Sequence, residues 1–298
     1  MGPSQHPTSD ASRRIDLHAH STASDGTDSP AELMAAADAA GLAVVALTDH
    51  DTTGGWAAAE AARPDHLTLI RGAEFSTRAR GEGRYASIHL LGYLFDPADP
   101  AIAAEQARLR TERLHRGVGI VQKMVADGLP ISVDQVLGIA ANAPVGRPHI
   151  GRALVAAGVV DSVDEAFGTL LSARGPYYVP KVDTELVDAI SMIAAAGGVS
   201  VLAHSRARGE ARVLTEARIG ELAAAGLTGI EVDHPDHDPA ARAELAGIAA
   251  RFGLVRTGSS DYHGHNKTLR LGQESTDPRQ LDALIAASSG RVPPLGSW

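Results

Sequence analysis

Cysteine is absent from the 298 residues, so the fold has no disulfides and no thiolate metal ligands. Any bound metal must be held by imidazole, carboxylate and water. No apolar run reaches the ~18 residues that suggest a membrane-spanning helix. Met1 to Arg14 is polar and contains no hydrophobic segment, so no secretory signal is expected. Residues 1–12 read as a disordered tail, with His6 incidental, and a cytoplasmic protein is the expectation. Positive charge is also scarce. A total of 27 Lys and Arg against 36 Asp and Glu leaves a net charge of −9. That balance argues against a broad surface for duplex nucleic acid, and nothing in the chain suggests a membrane partner. What is plentiful is histidine, thirteen in all, in a chain of ordinary globular composition.

The central stretch is Ile15-Asp16-Leu17-His18-Ala19-His20-Ser21. Residues two apart on a strand point the same way, so His18 and His20 project together from one strand end. Ser21 to Thr27 is turn chemistry that can fold Asp25 back toward them. Strand-like and helix-like segments then alternate. Strands are expected at Arg13–Leu17, Leu42–Leu47, Leu67–Gly72, Tyr85–Tyr93, Gly198–Ala203, Gly229–Val232 and Leu254–Gly258. Apolar strands separated by amphipathic helices indicate an α/β fold with a parallel sheet, and seven such units favour a closed barrel. Between the fourth and fifth strands, residues 99–181 contain only helical segments. They are expected at Ile102–Asp127, Val133–Ala140, Ile150–Ala157 and Val163–Ser172. This is too long for a loop and reads as an inserted helical lobe, leaving 13–98 and 182–298 as the barrel. The lobe carries a net charge of +1 and the remainder −10. Arg108, Arg110, Arg113 and Arg116 crowd its first helix and read as a solvated face.

Nearly every expected strand ends in a metal-capable side chain: His18, His20, His50, Glu74, His204, Asp261 and His263. His89 lies within a strand and Asp25 just after one. The C-terminal ends of parallel strands form the active face of such folds, so these residues converge. Six imidazoles and three carboxylates exceed what one ion needs, which implies two or three ions. Glu74 is the natural bridge between them. Paired ions suit phosphoryl displacement and the generation of hydroxide at neutral pH.

Taken together, Asp16-Leu-His-Ala-His-Ser21, Leu47-Thr-Asp-His50, Gly72-Ala-Glu74, the Ile-His-Leu-Leu-Gly around His89, Ala203-His204 and Ser260-Asp-Tyr-His263 resemble the PHP (polymerase and histidinol phosphatase) family of metal-dependent phosphoesterases. The resemblance implies a distorted seven-stranded (β/α)7 barrel with an inserted helical lobe and up to three metals. It implies that His18, His20, Glu74 and Asp261 hold the first metal, Glu74, His89 and His204 the second, and Asp25, His50 and His263 the third. Two positions depart from the family. Ser205 stands where members often have Pro, and Asp25 where many have His. The lobe segments Gly146-Arg-Pro-His-Ile-Gly-Arg-Ala-Leu154, Ala166-Phe167 and Tyr177-Tyr-Val-Pro180 resemble the branch of nucleotide-bisphosphate phosphatases and 5′-to-3′ exoribonucleases.

The expected activity is hydrolysis of a phosphate monoester on a nucleotide, a 3′,5′-bisphosphate or a monophosphate, by a metal-activated hydroxide. Glu74, Asp261 and His263 are its expected catalytic residues. The alternatives are 5′-to-3′ exonuclease action on short RNA, histidinol-phosphate phosphatase activity, and a non-catalytic metal-binding regulatory module. Mixed His and carboxylate ligation fits Mn, with Fe or Zn as alternatives. Arg147 and His149 stand at the start of an expected helix, where backbone N–H groups favour an anion. Arg147 is read as a phosphate ligand and His149 as either a substrate contact or a helix-start residue. Lys181 and Arg206 are further substrate candidates. His234 and His237 either contact substrate or decorate a loop. His66, His115 and His265 read as structural or solvated.

Overall fold

Strand β1 (Arg14–Asp16) runs parallel to β2 (Leu42–Leu47), and β2 shows how the sheet is covered. Its alternate side chains enter two different cores: Val45 and Leu47 join one, Val44 and Ala46 the other. A strand buried on both faces needs a layer against each. The outer layer begins with α1 (Pro30–Ala39) and α2 (Trp56–Ala62). Helix α1 starts where Ser29-Pro30 predicts it. Ser29 Oγ accepts from the Glu32 backbone at 3.2 Å, and the Glu32 carboxylate accepts from the Ser29 backbone at 2.7 Å. This computed structural model describes residues 13–81, 83, 85–172, 175–207, 210–266 and 268–297; the tail expected at 1–12 lies outside the described residues.

The long strand β3 (Thr68–Arg80) pairs parallel with β2 and antiparallel with β4 (Tyr85–Tyr93). This corrects the expectation of an all-parallel sheet with a third strand ending at Gly72. Only residues 81–84 separate β3 from β4, and a parallel connection needs a dozen residues or more. The chain therefore turns back on itself. Next come the helices α3 (Pro100–Ala126), α4 (Val133–Ala140), α5 (Arg147–Ala156) and α6 (Val163–Gly168), and a two-residue strand β5 (Thr184–Glu185) on the edge of β3. Helices α3 and α5 begin earlier than expected because Pro100 and Pro148 belong to the first turn, where their missing N–H costs nothing. The helical segment has its own apolar cluster, including Ile120, Met124, Ile150 and Leu154.

The alternation resumes with α7 (Leu186–Ala195), β6 (Val199–Leu202), α8 (Glu216–Ala224), β7 (Gly229–Asp233), α9 (Pro239–Phe252), β8 (Val255–Gly258) and α10 (Pro278–Ala287). Strand β6 is antiparallel to β4, and β7 and β8 follow in parallel, giving the order β1-β2-β3-β4-β6-β7-β8. Beyond the ends of β1 and β8, Ala19 and Tyr262 form a parallel bridge. The His20 N–H donates to the Tyr262 carbonyl at 2.8 Å. The segment with His18 and His20 thus lies beside the one with Asp261 and His263.

Buried Tyr93 on β4 donates its hydroxyl to the Leu17 carbonyl at 2.7 Å, tying the middle of the sheet to the end of β1. Tyr93→Phe removes the donor and leaves that carbonyl poorly satisfied. We expect a stability loss of about 1 kcal/mol, read as a lower urea midpoint at unchanged slope.

Candidate active site

Glu74 lies on β3, just past the end of β2, and is fully enclosed. Five imidazoles surround its carboxylate. Oε1 lies 2.8 Å from His89 Nδ1 and 3.2 Å from His204 Nε2. Oε2 lies 3.4 Å from His18 Nε2, 3.2 Å from His20 Nε2 and 3.0 Å from His50 Nδ1. Each oxygen therefore faces its own set of rings. Asp261 Oδ1 lies 3.4 and 3.5 Å from His18 and His20 Nε2. Asp25 Oδ1 lies 3.5 Å from His263 Nε2, and its Oδ2 lies 3.6 Å from His50 Nε2.

These are the spacings of ligands converging on shared points. His50 Nδ1 and His89 Nδ1 are buried and close to Glu74, yet neither makes a hydrogen bond of acceptable geometry. Two rings have their tautomer fixed from behind. His18 Nδ1 faces Glu231 Oε1 at 3.2 Å, and His263 Nδ1 faces the Asp261 carbonyl at 2.8 Å. Those oxygens can only accept, so in the neutral ring Nδ1 holds the proton and Nε2 turns its lone pair into the cluster. Three groups have ligand atoms close enough for one ion each: His20, Asp25, His50 and His263; His18, His20 and Glu74; and His50, Glu74 and His89. His20 and His50 each belong to two groups, a sharing that the sequence did not reveal. An all-nitrogen-and-oxygen set of this kind fits Mn, Fe or Zn.

The electrostatics agree with a cation-demanding centre. Burial alone would raise the Glu74 carboxyl, but His89, His50 and His18 hold it well below the usual carboxylate range. Burial would lower His18, but Glu74, Asp261 and Glu231 hold it well above the usual imidazole value. Burial dominates at His89 and brings it to about 3 despite Glu74 beside it.

The loops that deliver these side chains are tied down by buried carboxylates that sequence reasoning passed over. Asp16 accepts from Ser260 Oγ at 2.6 Å, Asp49 from Ser21 Oγ at 2.7 Å and Ser24 Oγ at 2.6 Å, and Asp51 from Ser76 Oγ at 2.7 Å. Their signal was in the motifs, each lying within two residues of a histidine candidate. Asp51, His204 and Asp261 have φ of 53°, 26° and 53°, a sparsely populated region for such residues. Gly26 shapes the Asp25 turn, since a Cβ there would lie 2.5 Å from the His20 carbonyl.

A cavity of about 450 Å³ opens over the cluster. Its opposite wall comes from the helical segment and includes Arg113, Arg116, Arg147, Phe167 and Lys181. Arg147 donates to the Leu171 carbonyl at 3.0 Å and lies over the Phe167 ring at 5.1 Å. Lys181 pairs with Asp183. Arg113 corrects the reading of a solvated helix face. It donates through Nε to Asp51 at 2.5 Å and through Nη2 to Ser76 Oγ at 2.8 Å. Arg116 also enters the wall, whereas Arg108 and Arg110 bond to Glu105 and the Asn142 carbonyl near the surface.

Four substrate candidates lie elsewhere. His149 is buried, and its Nδ1 accepts from the Gly146 N–H at 2.8 Å. Burial lowers it to about 4, and it braces the start of α5 rather than the cavity. Arg206 is held by Glu244 at 2.9 Å. His234 is fully enclosed behind Asp261 and cannot meet substrate there. His237 is also enclosed, with Nδ1 on the Val232 carbonyl at 2.9 Å and Nε2 accepting from the Arg206 N–H at 3.2 Å. Neither reading given for it, substrate contact or loop decoration, fits this geometry; the ring is a buried structural tie.

The PHP domain family model matches residues 16–143. The chain is 37% identical to a 3′,5′-nucleoside bisphosphate phosphatase of Chromobacterium violaceum, over 84% of this chain and 87% of that protein. It is 34% identical to a 5′-3′ exoribonuclease of Haemophilus influenzae, over 88% and 94%. A solved structure from Bifidobacterium adolescentis, described as a candidate metal-dependent phosphoesterase, superposes with a TM-score of 0.85 at 35% identity, covering 93% of this chain and 96% of that one.

The Arg113–Asp51 pair is nearly closed to solvent, and removing one partner strands a buried charge. Arg113→Ala should cost about 3–5 kcal/mol of unfolding free energy by chemical denaturation. Adding Asp51→Asn should recover part of that loss, because the stranded charge is gone.

Proposed function

The chain belongs to the PHP domain family, and from that membership we propose that it is a metal-dependent hydrolase that removes a phosphate monoester from a nucleotide. The first substrate class proposed is the nucleoside 3′,5′-bisphosphates. The observation that carries the reading is Glu74, whose two oxygens face separate sets of imidazoles as a bridging ligand requires. We assign two or three divalent ions to His18, His20, Asp25, His50, Glu74, His89, His204, Asp261 and His263, with Mn first and Fe or Zn compatible. Such ions, when bound, neutralise phosphoryl charge and activate the attacking water.

The protein's own residues supply position. Glu74, Asp261 and His263 hold the reacting end of the cavity. Arg147 and Lys181 face that end from the helical segment and would fix the phosphate or ribose of the substrate. An arginine fork suits two phosphate oxygens, and the Phe167 ring lies against the guanidinium of Arg147. We read residues 99–181 as the substrate lobe, on the support of their separate apolar cluster. We read the sheet as the family's distorted barrel, on the support of the Ala19–Tyr262 bridge. A second reading, exonucleolytic cleavage of short RNA, rests on the Haemophilus influenzae relative and would use the same centre. A non-catalytic module is disfavoured because no candidate ligand is missing.

Metal analysis and phosphate release from a panel of nucleotide bisphosphates, monophosphates and short 5′-phosphorylated RNA test the proposal. Glu74→Gln keeps the side chain's shape and removes its charge. It should abolish turnover and reduce bound metal while the circular dichroism spectrum stays unchanged. Near-normal activity would remove Glu74 from the centre. Arg147→Ala should lower kcat/KM for a nucleoside 3′,5′-bisphosphate by about 2 kcal/mol, the scale of a charge-assisted hydrogen bond. If Arg147 holds the second phosphate, p-nitrophenyl phosphate should change far less. If it orients the scissile phosphate, both substrates should fall together. Unchanged kinetics on both would take Arg147 out of the site.

A further inference from the structure

Strand β7 places no side chain in the ligand groups around Glu74. We infer that it builds the supporting layer of the metal centre, with Glu231 fixing the aim of His18 and His234 fixing that of Asp261. Both are positioning residues, and the inference rests on reading the cluster as a metal site.

Glu231 is fully buried, and both of its oxygens are committed. Oε1 lies 3.2 Å from His18 Nδ1 and also accepts from Ser259 Oγ. Oε2 accepts the His204 backbone N–H at 2.7 Å. One carboxylate therefore touches the ring of one candidate ligand, the backbone of a second, and the serine two residues before a third. Its contact with Nδ1 leaves His18 Nε2 as the ligating end. A carboxylate behind a metal-bound imidazole fixes its orientation and makes it more basic.

His234 lies just past β7 and is equally enclosed. Its Nδ1 accepts the Asp236 N–H at 3.0 Å, so in the neutral ring the proton sits on Nε2. That nitrogen is buried with no hydrogen-bond partner of its own. It lies 3.9 Å from Asp261 Oδ2 and 4.0 Å from Glu231 Oε2; the latter already accepts the His204 N–H, while Oδ1 of Asp261 is the oxygen turned toward His18 and His20. A small closure of the gap gives Asp261 one oxygen for the ion and one for the His234 N–H. The buried, unspent donor thereby gains a role.

The experiment titrates metal-free protein with Mn²⁺ by calorimetry, and with Co²⁺ by visible absorption as a report on ligand geometry. Glu231→Gln and His234→Asn are the test variants. Asparagine can still accept the Asp236 N–H but offers nothing at the Nε2 position, whereas glutamine in His234→Gln can return a donor there. The expected result is metal binding weakened roughly 10- to 100-fold in Glu231→Gln and His234→Asn, with an altered Co²⁺ spectrum. His234→Gln should recover much of the loss. If Glu231→Gln does not fold, the two His234 variants decide alone. Wild-type affinity and spectrum in the variants would overturn the inference while leaving the metal site intact. Failure of the wild-type protein itself to bind Mn²⁺ or Co²⁺ would instead bring down the metal reading, and this inference with it.

Discussion

A carboxylate buried among five imidazoles is the arrangement on which the rest of the molecule depends. Left unpaired, the Glu74 charge would cost several kcal/mol so far from water. The rings around it hold it ionised, and the mutual approach of so many nitrogens and oxygens asks for cations between them. Rings that repel protons from one another do not gather unaided. They are held by backbone in sparsely populated conformations at Asp51, His204 and Asp261, and by serine hydroxyls on Asp16, Asp49 and Asp51. Each of those carboxylates sits outside the ligand groups and fixes a loop that enters one.

The reversal of β4 follows the same logic. Most candidate ligands leave the C-terminal ends of strands, where loops give them reach. His89 does not; it sits within β4, paired in register with Ser76, two residues past Glu74. Because β4 is antiparallel, its chain passes Glu74 as it runs down from the active face. The imidazole reaches Glu74 from the strand itself, without a loop. The long β3 is what makes this possible, since it carries Glu74 and continues on to support β4.

The helical segment supplies what the strands lack. The rest of the chain carries a net charge of −10, and an anionic substrate gains little by approaching it directly. The cavity wall opposite the cluster is basic, and it is anchored by Arg113 reaching across to Asp51, the neighbour of His50. This ion pair ties the wall to the loop that carries His50. His149, buried in the first turn of α5, accepts the Gly146 N–H and so fixes the backbone next to Arg147.

The candidate ligands were legible in the sequence because each stands at a recognisable strand end or in a tight motif, and because residues of one type recurred there. The alternation of apolar strands with helices was legible for the same reason, as was the inserted helical stretch. Other features needed the tertiary structure. The direction of β4 follows from the length of β3, which runs on to Arg80 and leaves too short a link for a parallel crossover; read as ending at Gly72, the strand leaves twelve residues before Tyr85 and hides the reversal. Arg113 read as solvated and Arg206 as a substrate candidate, yet Arg113 turns into the cavity and Arg206 onto Glu244, because side-chain direction is set by what packs beside the helix or loop. His234 looked like a rim residue and proved to be enclosed, since its burial comes from Glu231, His204 and Asp261, which lie on three separate stretches of chain. A sequence specifies which groups can bind a metal or a phosphate; only packing decides which of them face the same point.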